Sequence, residues 1–321
     1  MNLAEKIKEL HASKYKFVIV SSGGGSNAIA SLLKVPGASN TVLEAYIPYA
    51  KESLDFYLMK KPDFYASKDT SLRMAARAYS AAKKIDQESS LNHLLGVSIT
   101  ASLSTTYEKR GDHKFHIALQ TRDFSKSISC KLEKGQRTRE EEEELVTAFV
   151  VNLLAECSEL EYDYPKIPEE VVFDEVKAEK GWAELMSNKI NYVLSEDASP
   201  ELIFPGAFYP YHDGHKAMKD LAEQETGKKI FFEICIQNVD KPPISYHQIK
   251  KTVMQFNDSE NWVLTKAGKF SEKSKMFPNS TFIIGADTLV RIMDERFYES
   301  RKEMLKDCLL YTSDAADDTP C

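Results

Sequence analysis

The sequence has little of what marks several common classes of protein. Its five cysteines are scattered over 321 residues without a CxxC pair, so we expect free thiols in a reducing cytosol rather than disulfides or a zinc site. No apolar run approaches about 18 residues, and the N-terminus has no apolar signal core. The formal net charge is −7, whereas a general nucleic-acid binder is usually basic. We therefore expect a cytoplasmic protein that binds neither membrane nor nucleic acid.

The composition is that of an ordinary globular protein, and a chain of 321 residues is long enough for two domains. Hydrophobic residues make up 42% of the chain and charged residues 28%, which allows one or two real cores. The stretch 162–170 is rich in proline and acid and marks the expected boundary. We predict a first α/β domain over residues 1–163, a linker or connecting helical segment over 164–200, and a second α/β domain over 201–308.

Apolar periodicity predicts the elements of both domains. In the first, the expected elements are helices at 3–11, 27–33, 70–84 and 140–160, and strands at 17–20, 42–49, 95–103 and 114–120. In the second, they are strands at 202–204, 229–237, 262–265 and 281–284, and helices at 216–225 and 245–256. Strands and helices that alternate at this spacing predict a parallel sheet in the second domain. His113 and His116 flank a strand start in a charged loop and are expected at the surface.

The most specific motif begins the second domain. A strand ending at Phe204 leads into the run Gly206-Ala207-Phe208-Tyr209-Pro210-Tyr211-His212-Asp213-Gly214-His215. Glycine lets the backbone approach a phosphate, and the free N–H groups at a helix start favour an anion. His212 and His215 share one helix face, where both could donate to phosphate oxygens. The alternative is a loop rich in tyrosine and histidine that binds no ligand.

This run resembles the G-x-F-x-P-x-H-x-G-H motif of the cytidylyltransferase-like nucleotidyltransferases. A second segment, Phe282 to Leu289, resembles the Gly-x-Asp segment of nicotinate or nicotinamide mononucleotide adenylyltransferases, which lies against the nucleotide. The resemblance covers about residues 202–297 and implies a Rossmann-like domain. It implies His212 and His215 as catalytic residues, and as nucleotide-binding residues Gly206, Ala207, Phe208, Gly214, Gly285, Asp287 and Thr288. Lys241 is either a further phosphate ligand or a solvated loop lysine.

The implied reaction is transfer of an adenylyl or cytidylyl group from ATP or CTP, bound with Mg²⁺, to a phosphorylated small molecule. Pyrophosphate is released, and positioning and electrostatics suffice without a covalent intermediate. Nicotinamide or nicotinic acid mononucleotide is the preferred acceptor, because both halves of the chain resemble families that act on this nucleotide. That acceptor implies a role in NAD biosynthesis. No protein-held metal site is expected. A non-catalytic nucleotide-binding protein is the alternative.

One element of this family has no counterpart. These enzymes carry a C-terminal motif of the form I-S-S-T-x-x-R that binds the triphosphate, and nothing after Asp294 matches it. The residues after Cys308 resemble translated read-through of a sequencing adapter, and a natural acidic tail is the alternative. We expect residues 309–321 to be non-native and the second domain to be incomplete.

The first domain resembles the CinA C-terminal family, which includes bacterial nicotinamide-nucleotide amidases and has an α/β/α sandwich. The matching segments are Ser22-Gly23-Gly24-Gly25-Ser26, Val35-Pro36-Gly37-Ala38-Ser39 and Pro48-Tyr49. Ser22 falls on the family nucleophile and Tyr49 on its catalytic tyrosine, but the activating lysine falls on Leu54, and Thr100 to Ser104 lacks the glycines of a later loop. Three interpretations stay open: an active amidase, a degenerate amidase that binds nucleotide or forms homo-oligomers, and a structural domain.

Overall fold

The computed structural model describes residues 2–107, 109–179, 181–237 and 243–285. These residues form two compact units, the first drawn from Met1–Lys189 and Asp240–Lys251, the second from Ile190–Val239 and Thr252–Cys321. Each unit has one β-sheet with helices packed around it. The predicted α/β class with two sheets is therefore confirmed.

The sheet of the first unit has six strands, in the order β2-β1-β3-β4-β5-β6. The strands are β1 (Lys16–Gly23), β2 (Val42–Tyr46), β3 (Leu94–Ser102), β4 (His113–Gln120), β5 (Phe124–Leu132) and β6 (Val171–Lys177). β1 runs parallel to β2 and β3, and the pairs from β3 to β6 are antiparallel. The carboxyl ends of β1 and β3 therefore meet at one edge of the sheet.

Helices cover both faces of this sheet. They are α1 (Leu3–His11), α2 (Ser26–Lys34), α3 (Lys51–Leu58), α4 (Lys68–Ile85), α5 (Arg139–Cys157) and α6 (Trp182–Met186). On one face, Phe17 and Ile19 of β1 join apolar side chains of α1, α2 and α5 in the main core. On the other face, Val18 and Val20 pack with α3 and α4. Side chains alternate along a strand, so β1 contributes residues to a core on each face of the sheet. The unit is therefore an α/β/α sandwich.

The predicted connecting segment differs from the structure. Residues 171–177, expected within a helical connection, form β6, which pairs antiparallel with β5. The run Val-Val-Phe at its start is β-branched and aromatic, a composition that favours a strand. Because β6 joins the first sheet, much of the segment 164–200 belongs to the first unit rather than to a linker.

The sheet of the second unit has five strands, in the order β11-β8-β9-β10-β7. Its elements are β7 (Tyr192–Leu194), β8 (Leu202–Gly206), α7 (Asp213–Thr226), β9 (Ile230–Cys235), β10 (Asn261–Thr265), α9 (Phe270–Met276) and β11 (Thr281–Phe282). Neighbours from β11 to β10 are parallel, as predicted, and β7 is antiparallel to β10. Helix α8 (Tyr246–Val253) starts among residues of the first unit.

The expectation that His113 and His116 lie at the surface is wrong. Both belong to β4, which has β3 on one side and β5 on the other. His113 is 7% exposed, and its Nδ1 lies 2.8 Å from Oε1 of the buried Glu142. The half-buried His116 places Nδ1 2.8 Å from the Ser129 hydroxyl. A strand in the middle of a sheet buries even the polar residues at its start.

Burial of His116 gives the first prediction. Burial, with smaller contributions from Lys114 and Lys68, lowers the pKa of His116 to about 4. The folded state therefore disfavours the protonated form, so the stability is intact above the ordinary value of 6.5 and is lost as the pH falls from there toward 4. We expect His116→Gln to reduce the fall in Tm between pH 7 and pH 5. Equal slopes for the variant and the wild type would contradict this.

Candidate functional site

The motif loop lies at the carboxyl end of β8, between that strand and α7. In parallel α/β sheets, ligands bind outside this end of the strands. β8 ends at Gly206, where an added Cβ would lie 2.5 Å from the ring of Phe208. Any larger residue would therefore push that ring away. The motif needs glycine here because the ring of its own third residue fills the space.

The buried side chain of Phe208 anchors the loop to the core of the second unit. Its side chain is 1% exposed, and its ring packs edge-on against those of Phe204, Phe232 and Phe256. The backbone at Phe208 has a φ of 46°, a conformation that residues with a side chain rarely adopt. Burial of the ring holds the chain in this conformation. The buried ring of Phe208 thus sets the conformation of the loop, and Gly206 and Ala207 lead into it from β8.

The structure brings the two predicted histidines together at the start of α7. His212 precedes the first helical residue, and His215 lies on the first turn. Their rings stack with centroids 3.7 Å apart. The backbone N–H of His212 donates to Nδ1 of His215 at 3.3 Å. In neutral His215 the proton therefore sits on Nε2, which makes that nitrogen a donor.

The helix start beside the pair suits an anion, with the histidines acting as neutral donors. Burial, and then the neighbouring His212, lowers the pKa of His215. At Gly214 an added Cβ would lie 3.1 Å from the His212 ring, which leaves little room for a side chain. The first N–H groups of a helix have no partner within the helix, and they carry its positive end. Two stacked imidazoles therefore lie at the positive end of α7.

Residues far along the chain hold the loop, and the sequence did not predict them. Tyr211 donates its hydroxyl to Glu260 at 2.7 Å and its N–H to the side-chain oxygen of Gln255 at 2.9 Å. Gln255 also donates to the carbonyl of Phe208 at 2.9 Å. The ring of Tyr211 stacks on His215, with centroids 5.9 Å apart. Gln255 and Glu260 therefore fix the position of the His215 ring through Tyr211.

The second predicted segment begins at the same edge of the sheet. β11 pairs in parallel with β8, so that Phe282 lies opposite Ile203. The N–H of Ile283 donates to the carbonyl of Ile203 at 2.8 Å. Gly285 follows three residues after Phe282, and an added Cβ would meet no atom within 4 Å there. The three other predicted ligands Lys241, Asp287 and Thr288 lie outside the described residues.

In the first unit, Ser22 lies near the end of β1. It is 7% exposed, and its hydroxyl donates to the carbonyl of Pro48 at 2.9 Å. Tyr49 is next in the chain, and its side chain is largely exposed. Leu54, at the position of the family lysine, is buried. Among the described residues no base accepts the Ser22 proton, so its role as an amidase nucleophile stays a prediction.

The glycine loop after Ser22 already holds an anion from the protein itself. Helix α2 follows this loop, and Oε2 of Glu143 accepts the N–H of Gly25 at 2.9 Å and that of Asn27 at 3.4 Å. Arg139 donates to the other oxygen of Glu143 at 3.0 Å. The start of α2 is therefore capped by a carboxylate, which suits the positive end of a helix.

Two further kinds of feature are absent from the described residues. No group of three or more histidine, cysteine, aspartate or glutamate side chains there could hold a metal ion. Within the same part of the chain, every helix is too short or too polar to span a membrane.

Comparisons with known proteins give only weak structural likenesses. No protein-family model matches the sequence, and no curated protein matches it. The competence/damage-inducible protein CihA from Agrobacterium tumefaciens is 16% identical, over 49% of this chain and 99% of that chain, with a TM-score of 0.39. A competence or damage-inducible protein from Enterobacter asburiae is 15% identical, over 49% and 94%, with a TM-score of 0.37. A CinA superfamily protein from Enterobacter cloacae is 14% identical, over 48% and 93%, with a TM-score of 0.38.

Proposed function

We propose that the second unit is a nucleotidyltransferase. It transfers an adenylyl or cytidylyl group from ATP or CTP to a phosphorylated small molecule and releases pyrophosphate. The observation that carries this proposal is the stacked pair of His212 and His215 at the start of α7, directly after β8. Imidazole N–H groups and helix N–H groups converge there, and both kinds of donor bind phosphate oxygens.

The chemistry needs only positioning and charge stabilisation. A phosphate oxygen of the acceptor attacks the α-phosphorus of the nucleotide, and the bond from that phosphorus to the β-phosphate oxygen breaks. The negative charge that moves onto the leaving pyrophosphate is stabilised by Nε2–H of His215, by His212 and by the start of α7. Mg²⁺ arrives with the nucleotide as part of the substrate.

Nicotinamide or nicotinic acid mononucleotide is the acceptor we propose, with a role in NAD biosynthesis. Support for this choice comes from the resemblance of the segment from Phe282 to Leu289 to mononucleotide adenylyltransferases. The described part of that segment begins in β11, which pairs in parallel with β8, the strand that leads into the motif loop. An acceptor bound there would lie next to the triphosphate.

Pyrophosphate release is the direct test of this function. The full chain is incubated with Mg²⁺, with ATP or CTP, and with a panel of phosphorylated acceptors that includes both mononucleotides. We expect pyrophosphate only when both a nucleotide and an acceptor are present. Calorimetry with MgATP and MgCTP measures binding separately from turnover. A folded chain that neither binds a nucleotide nor releases pyrophosphate would contradict the proposal.

A further inference from the structure

A second candidate site lies at the carboxyl edge of the first sheet, where β1 and β3 end side by side. β3 ends at Ser102, and the N–H of Gly24 in the neighbouring glycine loop donates to the carbonyl of Ala101 at 3.1 Å. Gly23 must be glycine, because an added Cβ would lie 2.2 Å from that same carbonyl oxygen. The end of β3 is thus held closely against the loop, at the edge where such folds bind ligands.

A lysine from the following loop reaches this strand end. Nζ of Lys109 donates to the hydroxyl oxygen of Ser102 at 2.9 Å. The same nitrogen also donates to the carbonyl oxygen of Leu103. Ser102 and Lys109 are both partly exposed, so a small molecule can approach them. Only the neutral form of the amine, which has a free lone pair, can accept the proton of the hydroxyl at this distance.

The surroundings lower the pKa of this amine below its ordinary value. Burial is the largest effect and lowers the pKa of Lys109. The negative charge of Glu142 is the next largest effect and raises this pKa, and the positive charges of Arg139 and Lys134 have smaller effects that lower it. Only a deprotonated lysine can act as a base, so each effect that lowers this pKa raises the fraction of lysine able to do so.

The hydrogen bonds of the Glu142 carboxylate go to groups other than Lys109. One of its oxygens accepts the N–H of Ser104 at 2.5 Å, and the other lies 2.8 Å from Nδ1 of His113. The carboxylate thereby fixes the chain on both sides of the loop that carries Lys109. On β4, Lys114 lies opposite Ser102 in the sheet register and adds a positive charge near the hydroxyl.

We propose that Ser102 is a nucleophile and Lys109 its general base, in an acyl-transfer site that takes small amides or esters. The hydroxyl oxygen of Ser102 attacks the carbonyl carbon while its proton passes to Nζ of Lys109. The bond from that carbon to the leaving nitrogen or oxygen then breaks, and the leaving group takes the proton. Water next attacks the acyl-serine, gives a proton to Lys109, and releases the acid as the proton returns to Ser102.

Two other serines of this unit are poorer nucleophiles. Ser22 donates its proton to the carbonyl of Pro48 rather than to a base. Ser125 lies 2.7 Å from Nδ1 of His247, whose Nε2 is 3.3 Å from Asp174, but the serine is fully buried. A serine–histidine–aspartate series that no substrate can reach is a structural network. Ser102 combines a base with partial exposure.

Covalent labelling tests the proposal without knowledge of the substrate. The full chain is treated with a fluorophosphonate probe, and the modified residue is identified by mass spectrometry of its peptides. We expect one adduct, on Ser102, that forms faster as the pH rises toward the pKa of Lys109, with a midpoint below the ordinary lysine value of 10.5. Ser102→Ala should lose the adduct. Lys109→Met and Lys109→Arg should each slow labelling by about 100-fold, because neither side chain is a base near neutral pH.

Ser104→Ala, a partly exposed serine two residues after Ser102, is the matched control and should label like the wild type. Thermal melts of every variant show whether it is folded. Three results would overturn the proposal: an adduct on Ser22, an unchanged rate in a folded Lys109 variant, or no labelling of the folded wild-type chain. Hydrolysis of p-nitrophenyl acetate gives a second readout that should follow the same order of variants. Neither assay depends on the nucleotidyltransferase activity of the second unit.

Discussion

His215→Ala should lower kcat for pyrophosphate release by about 100- to 1,000-fold, as the loss of one pre-positioned donor does in other enzymes that stabilise a developing anion. The ring is held from three sides, by the stack on His212, the stack on Tyr211 and the edge of Phe208. Its Nε2–H is therefore already placed when the charge moves onto pyrophosphate. Alanine removes that donor and leaves the fold of β8 and α7 in place. Initial rates with saturating nucleotide and acceptor measure the effect.

The split between kcat and KM decides what His215 does. An interaction made only in the transition state lowers kcat and leaves KM nearly unchanged. If His215→Ala instead raises KM and leaves kcat alone, the histidine binds nucleotide without stabilising the transition state. Glu225→Ala, an exposed change at the far end of α7, is the matched control and should keep wild-type rates. His212→Ala should act in the same direction as His215→Ala.

Local motifs were predictable from the sequence, because their information lies within a few residues. Helix α1 spans the predicted residues, and the strand, glycine loop and helix around Ser22 form as expected. The same holds for β8, the motif loop and α7. Glycine, a capping residue and a regular apolar stripe each specify local backbone geometry, whatever packs against it later.

The supports of the site were not predictable, because they come from distant parts of the chain. Gln255 and Glu260 hold Tyr211 from 44 and 49 residues away. Nothing in the sequence around either residue marks it as part of a phosphate site. Their roles arise only when the chain after β9 returns past the motif loop, which a local pattern does not encode.

Strand β5 was not predicted from the sequence, for a different reason. The strand carries serines at 125, 127 and 129. Two of these serines bond to histidines, Ser125 to His247 and Ser129 to His116. The first of these partners is 122 residues away. A buried polar strand is stable only when such partners exist, and the sequence alone does not reveal them.

Glu233→Ala should lower the free energy of unfolding by about 3–5 kcal/mol, the cost of leaving one charge of a buried ion pair without its partner. Glu233 is fully buried on β9, and Lys273 of α9 is 6% exposed. Nζ of Lys273 donates to one carboxylate oxygen, and the hydroxyl of Thr265 donates to the other. Alanine would leave the ammonium group in the core of the second unit with no anion. Urea unfolding of the wild type and the variant measures the difference.

The double variant Glu233→Met with Lys273→Met separates charge from packing. Removing both charges together, with side chains of similar volume, is often neutral or even stabilising. We therefore expect the double variant to recover most of the stability lost in Glu233→Ala. A single variant within about 1 kcal/mol of the wild type would mean that water or another group satisfies Lys273. Glu233 lies opposite Pro205 in the sheet register, one residue before the motif loop begins at Gly206. The double variant also tests whether the ion pair matters for activity. If the pair only stabilises the fold, the double variant should release pyrophosphate at the wild-type rate. A stable double variant with a lowered kcat would show instead that the buried charges position the loop.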